Sequence, residues 1–219
     1  MKHRFRDPPL LPGTSLDPAA CLARALPLER TAGQDYVEKR GVTCAVASAA
    51  GVRFDPDWAG RPAVVVALRD REERITSVHG RYLHNLRGED KMLTVGKGGG
   101  AITVLGGWRA DPLVLVEGLF DALSLAMCGQ AAVATIGREV PWLAGVAQGR
   151  TVHVAFDATR PGEEEAARIA ATLAGAVVRR LLPPPRCKDW STALVKRGPP
   201  ELTRWVRSNV GASSGTVAP

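Results

Sequence analysis

A chain of 219 residues, 45% of them apolar, can bury a sizeable core as one large domain or two small ones. No apolar run approaches the roughly 18–20 residues that span a bilayer, and the N-terminal MKHRFRDPPLLPG lacks the apolar centre of a secretion signal, so no membrane association and a cytoplasmic location are expected. The net charge of +7 is uneven, with 17 Lys/Arg against 12 Asp/Glu in residues 1–110 and 12 against 10 in residues 111–219, an asymmetry that suits a polyanion such as nucleic acid or simply a well-solvated arginine surface.

Residues 1–16 are proline-rich and read as an irregular arm. Asp17-Pro18 makes an N-cap and first turn for a short helix to about Ala25. A second helix is predicted from Leu28 to Arg40, stopping at Gly41. Thr43 caps a third, CAVASAA, closed by Gly51. RFDPDWAGRP reads as a turn-rich loop. AVVVALRD (63–70) and RITSVHGRYL (74–83), joined by REE, read as a β-hairpin. KMLTVGKGGGAITVLGG (91–107) reads as two short strands around a glycine loop. Residues 17–110 are thus expected to form a basic α+β subdomain.

From Asp111 the pattern changes. PLVLVEG, AAVATIG, TVHVAF and AVVRRLLP read as strands, and LFDALSLAMCG, VPWLAGVAQ and GEEEAARIAATLAG as the helices between them. Strands and helices alternating at this length mean βα units on a mainly parallel sheet with helices on both faces. This α/β unit is expected over residues 111–198, with a terminal helix and a disordered tail over 199–219. The four cysteines, Cys21, Cys44, Cys128 and Cys187, are far apart and form no zinc motif.

Ligand sites of open α/β sheets gather at the carboxyl ends of strands. Three acids fall there: Glu117 after the first strand, Asp157 after the third and Asp189 after the fourth. Asp121 stands one turn beyond Glu117. Converging carboxylates repel one another unless a cation neutralises them, and hard oxygen ligands suit Mg²⁺ or Mn²⁺. The plainer alternative is that each acid caps a helix, Asp157 and Asp189 especially.

Three stretches, LVLVEGLFDALSL, VHVAFDATRPGEEEA and CKDWSTALVKRG, resemble the motifs of the Toprim domain: Glu-Gly after one strand, Asp-x-Asp after another, then a late Lys-Asp. VATIG resembles the short glycine motif of the same domain. The basic stretch from Tyr36 to Leu83 is similar to the subdomain that precedes Toprim in bacterial and phage DnaG-type primases. The resemblance spans roughly residues 34–198. It implies a primase catalytic core that synthesises short primers on single-stranded DNA from nucleoside triphosphates, as in a phage or mobile-element replication system. It also implies Glu117, Asp121, Asp157 and Asp189 as metal candidates, and Arg81 and Lys91 as basic groove positions. Lys97 and Lys188 join these as phosphate-contacting candidates.

Two departures qualify the match: Thr159 stands at the second acid of Asp-x-Asp, and Ser191 two residues after the late Asp. A Thr hydroxyl ligates a metal or its water but brings no charge, so catalysis is expected to rest on Glu117, Asp157 and Asp121 with a weakened metal site. Without a zinc-binding module in the sequence, initiation is expected to need a partner, such as a separate zinc-binding protein or a replicative helicase, or a different strategy. Two other readings stay open: a degenerate Toprim protein that binds single-stranded nucleic acid without catalysis, and a Toprim nuclease. The glycine run VGKGGG lets backbone N–H groups approach a phosphate or is a plain hairpin loop. Trp58, Tyr82 and Trp108 are either base-stacking platforms or core residues.

Overall fold

The computed structural model describes residues 17–84 and 90–211. The predicted arm (1–16) and the tail beyond Gly211 lie outside the described residues.

Helix α1 (Pro18–Arg24) starts where Asp17 accepts the Ala19 N–H, and α3 (Cys44–Ala49) where Thr43 accepts that of Val46. Helix α2 (Ala32–Glu38) begins four residues later than the sequence predicts. Arg30 is left-handed (φ 60°), which interrupts a helix, and Leu28 is 1% exposed in the core.

The stretch read as a turn-rich loop is a strand, β1 (Arg53–Trp58), antiparallel to β2 (Arg61–Arg69). Its proline sits where the register shifts between Asp55 and Trp58, and an irregularity of this kind tolerates a missing N–H. Ala59 and Gly60, both at positive φ, make the two-residue turn. β2 pairs with β3 (Ile75–Tyr82), and β3 with β4 (Met92–Gly96), completing a four-stranded antiparallel sheet.

After the glycine run, β5 (Ile102–Val104) does not return to that sheet. It pairs antiparallel with β7 (Ala132–Ala134) in a second sheet of order β5-β7-β6-β8-β9. There β6 (Leu113–Val116), β7, β8 (Thr151–Val154) and β9 (Val177–Arg180) run parallel. Helices α4 (Leu119–Met127), α5 (Leu143–Ala147) and α6 (Arg160–Thr172) connect them, and α7 (Trp190–Val210) follows, bent at Gly198-Pro199-Pro200. This is the mainly parallel α/β unit expected, behind a smaller α+β unit.

Three apolar layers result. One lies outside the first sheet, between α1 and residues such as Val65, Val78, Tyr82 and Trp58. One lies on the α5–α6 face of the second sheet, around Leu115, Phe156 and Ile169. The largest is shared: Val64, Val66 and Leu68 of β2 join Val114, Val116, α4 and Trp190 of α7. The two sheets are therefore joined through one core, which fixes what each presents to the other. No helix among the described residues is long and apolar enough to cross a membrane.

Candidate functional site

Strands β6 and β8 are parallel neighbours, so their carboxyl ends stand side by side. Leu115 opposes Val154, and Glu117 therefore comes level with the Phe156–Asp157 end. Both acids are half-buried. Burial first, then the charges of Asp157 and Glu165, push Glu117 up to about 7. Burial and Asp189 raise Asp157 above the usual carboxylate range, against the opposing pull of Lys188 and Arg180.

The other two acids have other tasks. Asp121, in the first turn of α4, accepts the N–H groups of Trp190 (3.1 Å) and Ser191 (3.3 Å) and so ties α4 to the start of α7. Burial, then Asp157 and Asp189, still push it up to about 7. Asp189 caps α7, with Oδ1 accepting the Thr192 N–H at 2.6 Å and Oδ2 3.5 Å from Lys188 Nζ. Thr159 caps α6 by accepting the Gly162 N–H at 3.2 Å. Gly162 is needed there, since a Cβ would fall 2.3 Å from the Asp157 carbonyl oxygen.

The four expected metal acids thus share one neighbourhood, but two point into backbone N–H groups. Among the described residues, no three His, Cys, Asp or Glu side chains are gathered so as to hold a metal ion. Glu117 and Asp157 remain at adjacent strand ends, with Asp157 acting electrostatically on Glu117.

The basic candidates divide. In β3, Arg81 opposes Val64 and His79 opposes Val66. Directly opposed residues share a face, so Arg81 points to the side of the shared core, toward the second sheet. Its Nε is buried and has no hydrogen-bond partner among the described residues. Lys91 is exposed; its carbonyl accepts the Tyr82 N–H, and strand alternation sets it on the other side from Arg81. Lys97 is exposed at the start of the glycine run. That run is no open phosphate nest, because the Lys97 N–H donates to the Thr76 carbonyl and the Gly98 N–H to Ser77 Oγ. Lys188 is exposed beside Asp189. Trp58 (4% exposed) and Tyr82 (3%) are core residues, which removes both as stacking platforms.

The glycine run also docks the halves together. Trp142 Nε1 donates to the Gly99 carbonyl at 3.1 Å; within the second half, Ile136, in the turn after β7, donates its N–H to the Glu117 carbonyl at 2.9 Å. The glycine run, the turn after β7 and the end of β6 accordingly border one junction.

Sequence reading missed three residues here. Glu165 of α6 acts on Glu117 electrostatically while held by Arg168. Arg180, ending the edge strand β9, donates to the carbonyls of Val154, Phe156, Asp157 and Leu181 and pairs with Glu163. Arg138 lies in the turn after β7. The usable signal was positional: an arginine at a strand's carboxyl end is as well placed as an acid there.

Comparison with known proteins bears on this arrangement. Residues 114–194 match the Toprim-like family, and residues 17–103 match a domain of unknown function, DUF7146. No match is found among curated proteins. Among solved structures, a DnaG primase catalytic domain bound to ssDNA superposes with a TM-score of 0.67 at 20% identity, covering 88% of this chain and 77% of that one. The Aquifex aeolicus primase (zinc-binding and RNA polymerase domains) gives 0.66 at 18% identity, over 87% of this chain. The chain spans only 59% of that protein. The primase fragment of the bacteriophage T7 primase-helicase gives 0.56 at 21% identity, over 77% and 72% of the two chains. Residues 114–194 are thus Toprim-like, and the chain as a whole has the fold of the catalytic core of DnaG-type primases.

Proposed function

We propose that this chain binds single-stranded nucleic acid along the junction of its two sheets, as a primase-fold module whose acidic centre is reduced to one carboxylate pair. The observation that carries the reading is Arg81. It lies on the face of the first sheet turned toward the second, with a buried Nε lacking a partner. A buried guanidinium donor left without an acceptor is costly, and a backbone phosphate is an acceptor of the right charge and geometry. Lys97 adds an exposed cation at the other end of β3, where its N–H donates to the Thr76 carbonyl. The fold is that of proteins one of which carries ssDNA.

Anisotropy titration with labelled oligo-dT tests this. Binding is expected in EDTA, with the logarithm of affinity falling linearly against that of salt, and it should survive Glu117→Gln. Absence of binding at low salt would reject the reading.

A second reading is favoured by the Glu117–Asp157 pair itself. Mg²⁺ characteristically takes one or two carboxylates and completes its shell with water and substrate phosphates. The pair is suited to one such ion, Mg²⁺ or Mn²⁺, held by Glu117 and Asp157. A bound divalent ion supplies charge neutralisation at a phosphoryl group. Around it, Asp121 and Asp189 fix the α4–α7 corner, and Arg180 fixes the backbone beneath Asp157. This would support primer synthesis from nucleoside triphosphates, with a zinc-binding initiation protein or a helicase as the partner class, or phosphodiester cleavage. A single strand incubated with Mn²⁺ separates them, in one arm unlabelled with labelled triphosphates and in the other end-labelled. New short labelled products mean synthesis, shortening of the end-labelled strand means cleavage, and neither leaves binding alone. Either activity should disappear in Glu117→Gln.

A further inference from the structure

We infer that Arg138 and Arg81, one from each half of the chain, form a two-cation clamp for a phosphate chain at the sheet junction. The inference rests on the nucleic-acid reading and deepens it by naming a contact from the Toprim half.

Arg138 follows a tight turn at the carboxyl end of β7. Its N–H donates to the Thr135 carbonyl at 3.0 Å, and the preceding Ile136 is bonded to Glu117. This fixes the base of the side chain beside the carboxylate pair. Its guanidinium reaches across to the glycine run, where a Cβ on Gly98 would lie 3.8 Å from Nη1. Gly98 in turn is bonded to Ser77.

Ser77, His79 and Arg81 occupy alternate positions on one face of β3, opposite Leu68, Val66 and Val64. At about 3.3 Å per residue, Ser77 and Arg81 are roughly 13 Å apart along the strand, with His79 midway. Arg138 therefore arrives at one end of this row, and Arg81 stands at the other. His79 between them is 3% exposed, and its Nδ1 is 2.8 Å from Thr94 Oγ1. Burial, and after it the charges of Arg81 and Arg138, lower its pKa to about 3. The ring is thus neutral, and both guanidiniums lie within electrostatic reach of it.

Two like charges flanking a buried neutral ring are unfavourable unless an anion offsets them. Among the described residues, no carboxylate forms an ion pair with either guanidinium. Arg109, Arg150, Arg168 and Arg180 each pair with a carboxylate. Arg81 and Arg138 have no such partner among the described residues. The missing counter-charge is external, and its chemistry is that of phosphate. Two sources share it: successive phosphodiesters of a single strand, and the phosphate chain of a nucleoside triphosphate.

The test uses the full chain, with wild type, Arg138→Gln, Arg81→Gln and, as a charge-matched control, Arg204→Gln on an exposed position of α7. Each is titrated with labelled oligo-dT by anisotropy and with inorganic tripolyphosphate by calorimetry, after circular dichroism confirms folding. If the clamp holds a strand, Arg138→Gln and Arg81→Gln each weaken oligo-dT about tenfold and make the salt dependence shallower by about one phosphate contact. Arg204→Gln changes neither. If the clamp serves a nucleotide, wild type binds tripolyphosphate but not oligo-dT, and both arginine variants lose tripolyphosphate. The clamp then stands and the nucleic-acid reading falls. If wild type binds oligo-dT and Arg138→Gln matches it for both probes, the clamp is overturned while the nucleic-acid reading survives. Binding of neither probe overturns both.

Discussion

Replacing Glu117 by Gln should stabilise the metal-free protein at alkaline pH and leave it unchanged in acid. In the folded chain the Glu117 carboxyl rises from its ordinary 4.5 to about 7, through burial and then the charges of Asp157 and Glu165. A carboxylate with a raised folded-state pKa stays protonated in the native state while the unfolded chain has already released its proton. The native state then binds more protons, so stability falls as pH rises from about 4.5 through about 7. At roughly 1.4 kcal/mol per pH unit, the full span sets a ceiling of about 3 kcal/mol. Glu117 is only half-buried, and Asp157 relieves part of the repulsion by taking up the proton in its place, so about 2 kcal/mol is expected. Gln keeps the size and removes the charge. Urea unfolding in EDTA at pH 4.5 and pH 8.5 measures it. The variant should be more stable than wild type by about 2 kcal/mol at pH 8.5 and equal to it at pH 4.5. Residual pH dependence should remain in the variant, because Asp121 is also raised to about 7. A difference independent of pH, or a variant less stable at pH 8.5, would refute the claim that the carboxylate pair is electrostatically strained.

Arg180→Met should cost roughly 2–4 kcal/mol in thermal or urea unfolding, since it leaves strand-end carbonyls without their donor; a loss below about 0.5 kcal/mol would mean that water replaces the guanidinium without penalty. Gly80→Ala should destabilise by about 1–3 kcal/mol, because the new Cβ would fall 2.1 Å from Trp58 Nε1; wild-type stability would show that the indole has room to move. Thr159→Asp should keep stability within about 0.5 kcal/mol, as Asp caps as well as Thr, and should tighten Mn²⁺ in calorimetric titration. Unchanged or weaker binding would detach position 159 from the acidic face.

The periodic elements were legible in the sequence. Strands buried on both faces, such as LVLV and AVA, and helices capped by Asp17 and Thr43 carry local signals strong enough to survive tertiary context. Two elements were not. The strand β1 is disguised by Pro56, whose missing N–H is absorbed where the β1–β2 register shifts. The departure of β5 to the second sheet is a long-range choice that no local pattern encodes. The site was legible as a neighbourhood but not as a set of roles. Asp121, Asp157 and Asp189 lie at equivalent βα boundaries in the sequence. What separates them is what each carboxylate bonds: Asp121 and Asp189 accept backbone N–H groups at the start of α7, while burial and neighbouring charge raise Asp157. A rotamer is set by packing, not by position in the chain. Arg138 was illegible for the same reason, since its head group meets the other half of the molecule across the glycine run.

Charge across the junction ties the two proposals together. In the proposed complex, cations on the first sheet and in the turn after β7 would face the polyanion, with Glu117 and Asp157 at the neighbouring strand ends. A phosphate drawn in by Arg81 and Arg138 places further negative charge near a carboxylate already raised to about 7. Its approach must drive Glu117 toward the protonated form or toward a bound cation. By reciprocity, protonation of the pair or a divalent ion held by it must strengthen the grip on phosphate by the same factor. The carboxylates therefore influence nucleic-acid affinity even without catalysis: between about pH 6 and 8, affinity should rise as pH falls, and in Glu117→Gln that dependence should flatten toward the tight limit. The loss of acids at 159 and 191 fits this economy of charge, because each missing carboxylate is one fewer repulsion for the arriving strand to overcome. Catalysis would need those charges to hold a second ion, whereas binding is easier without them.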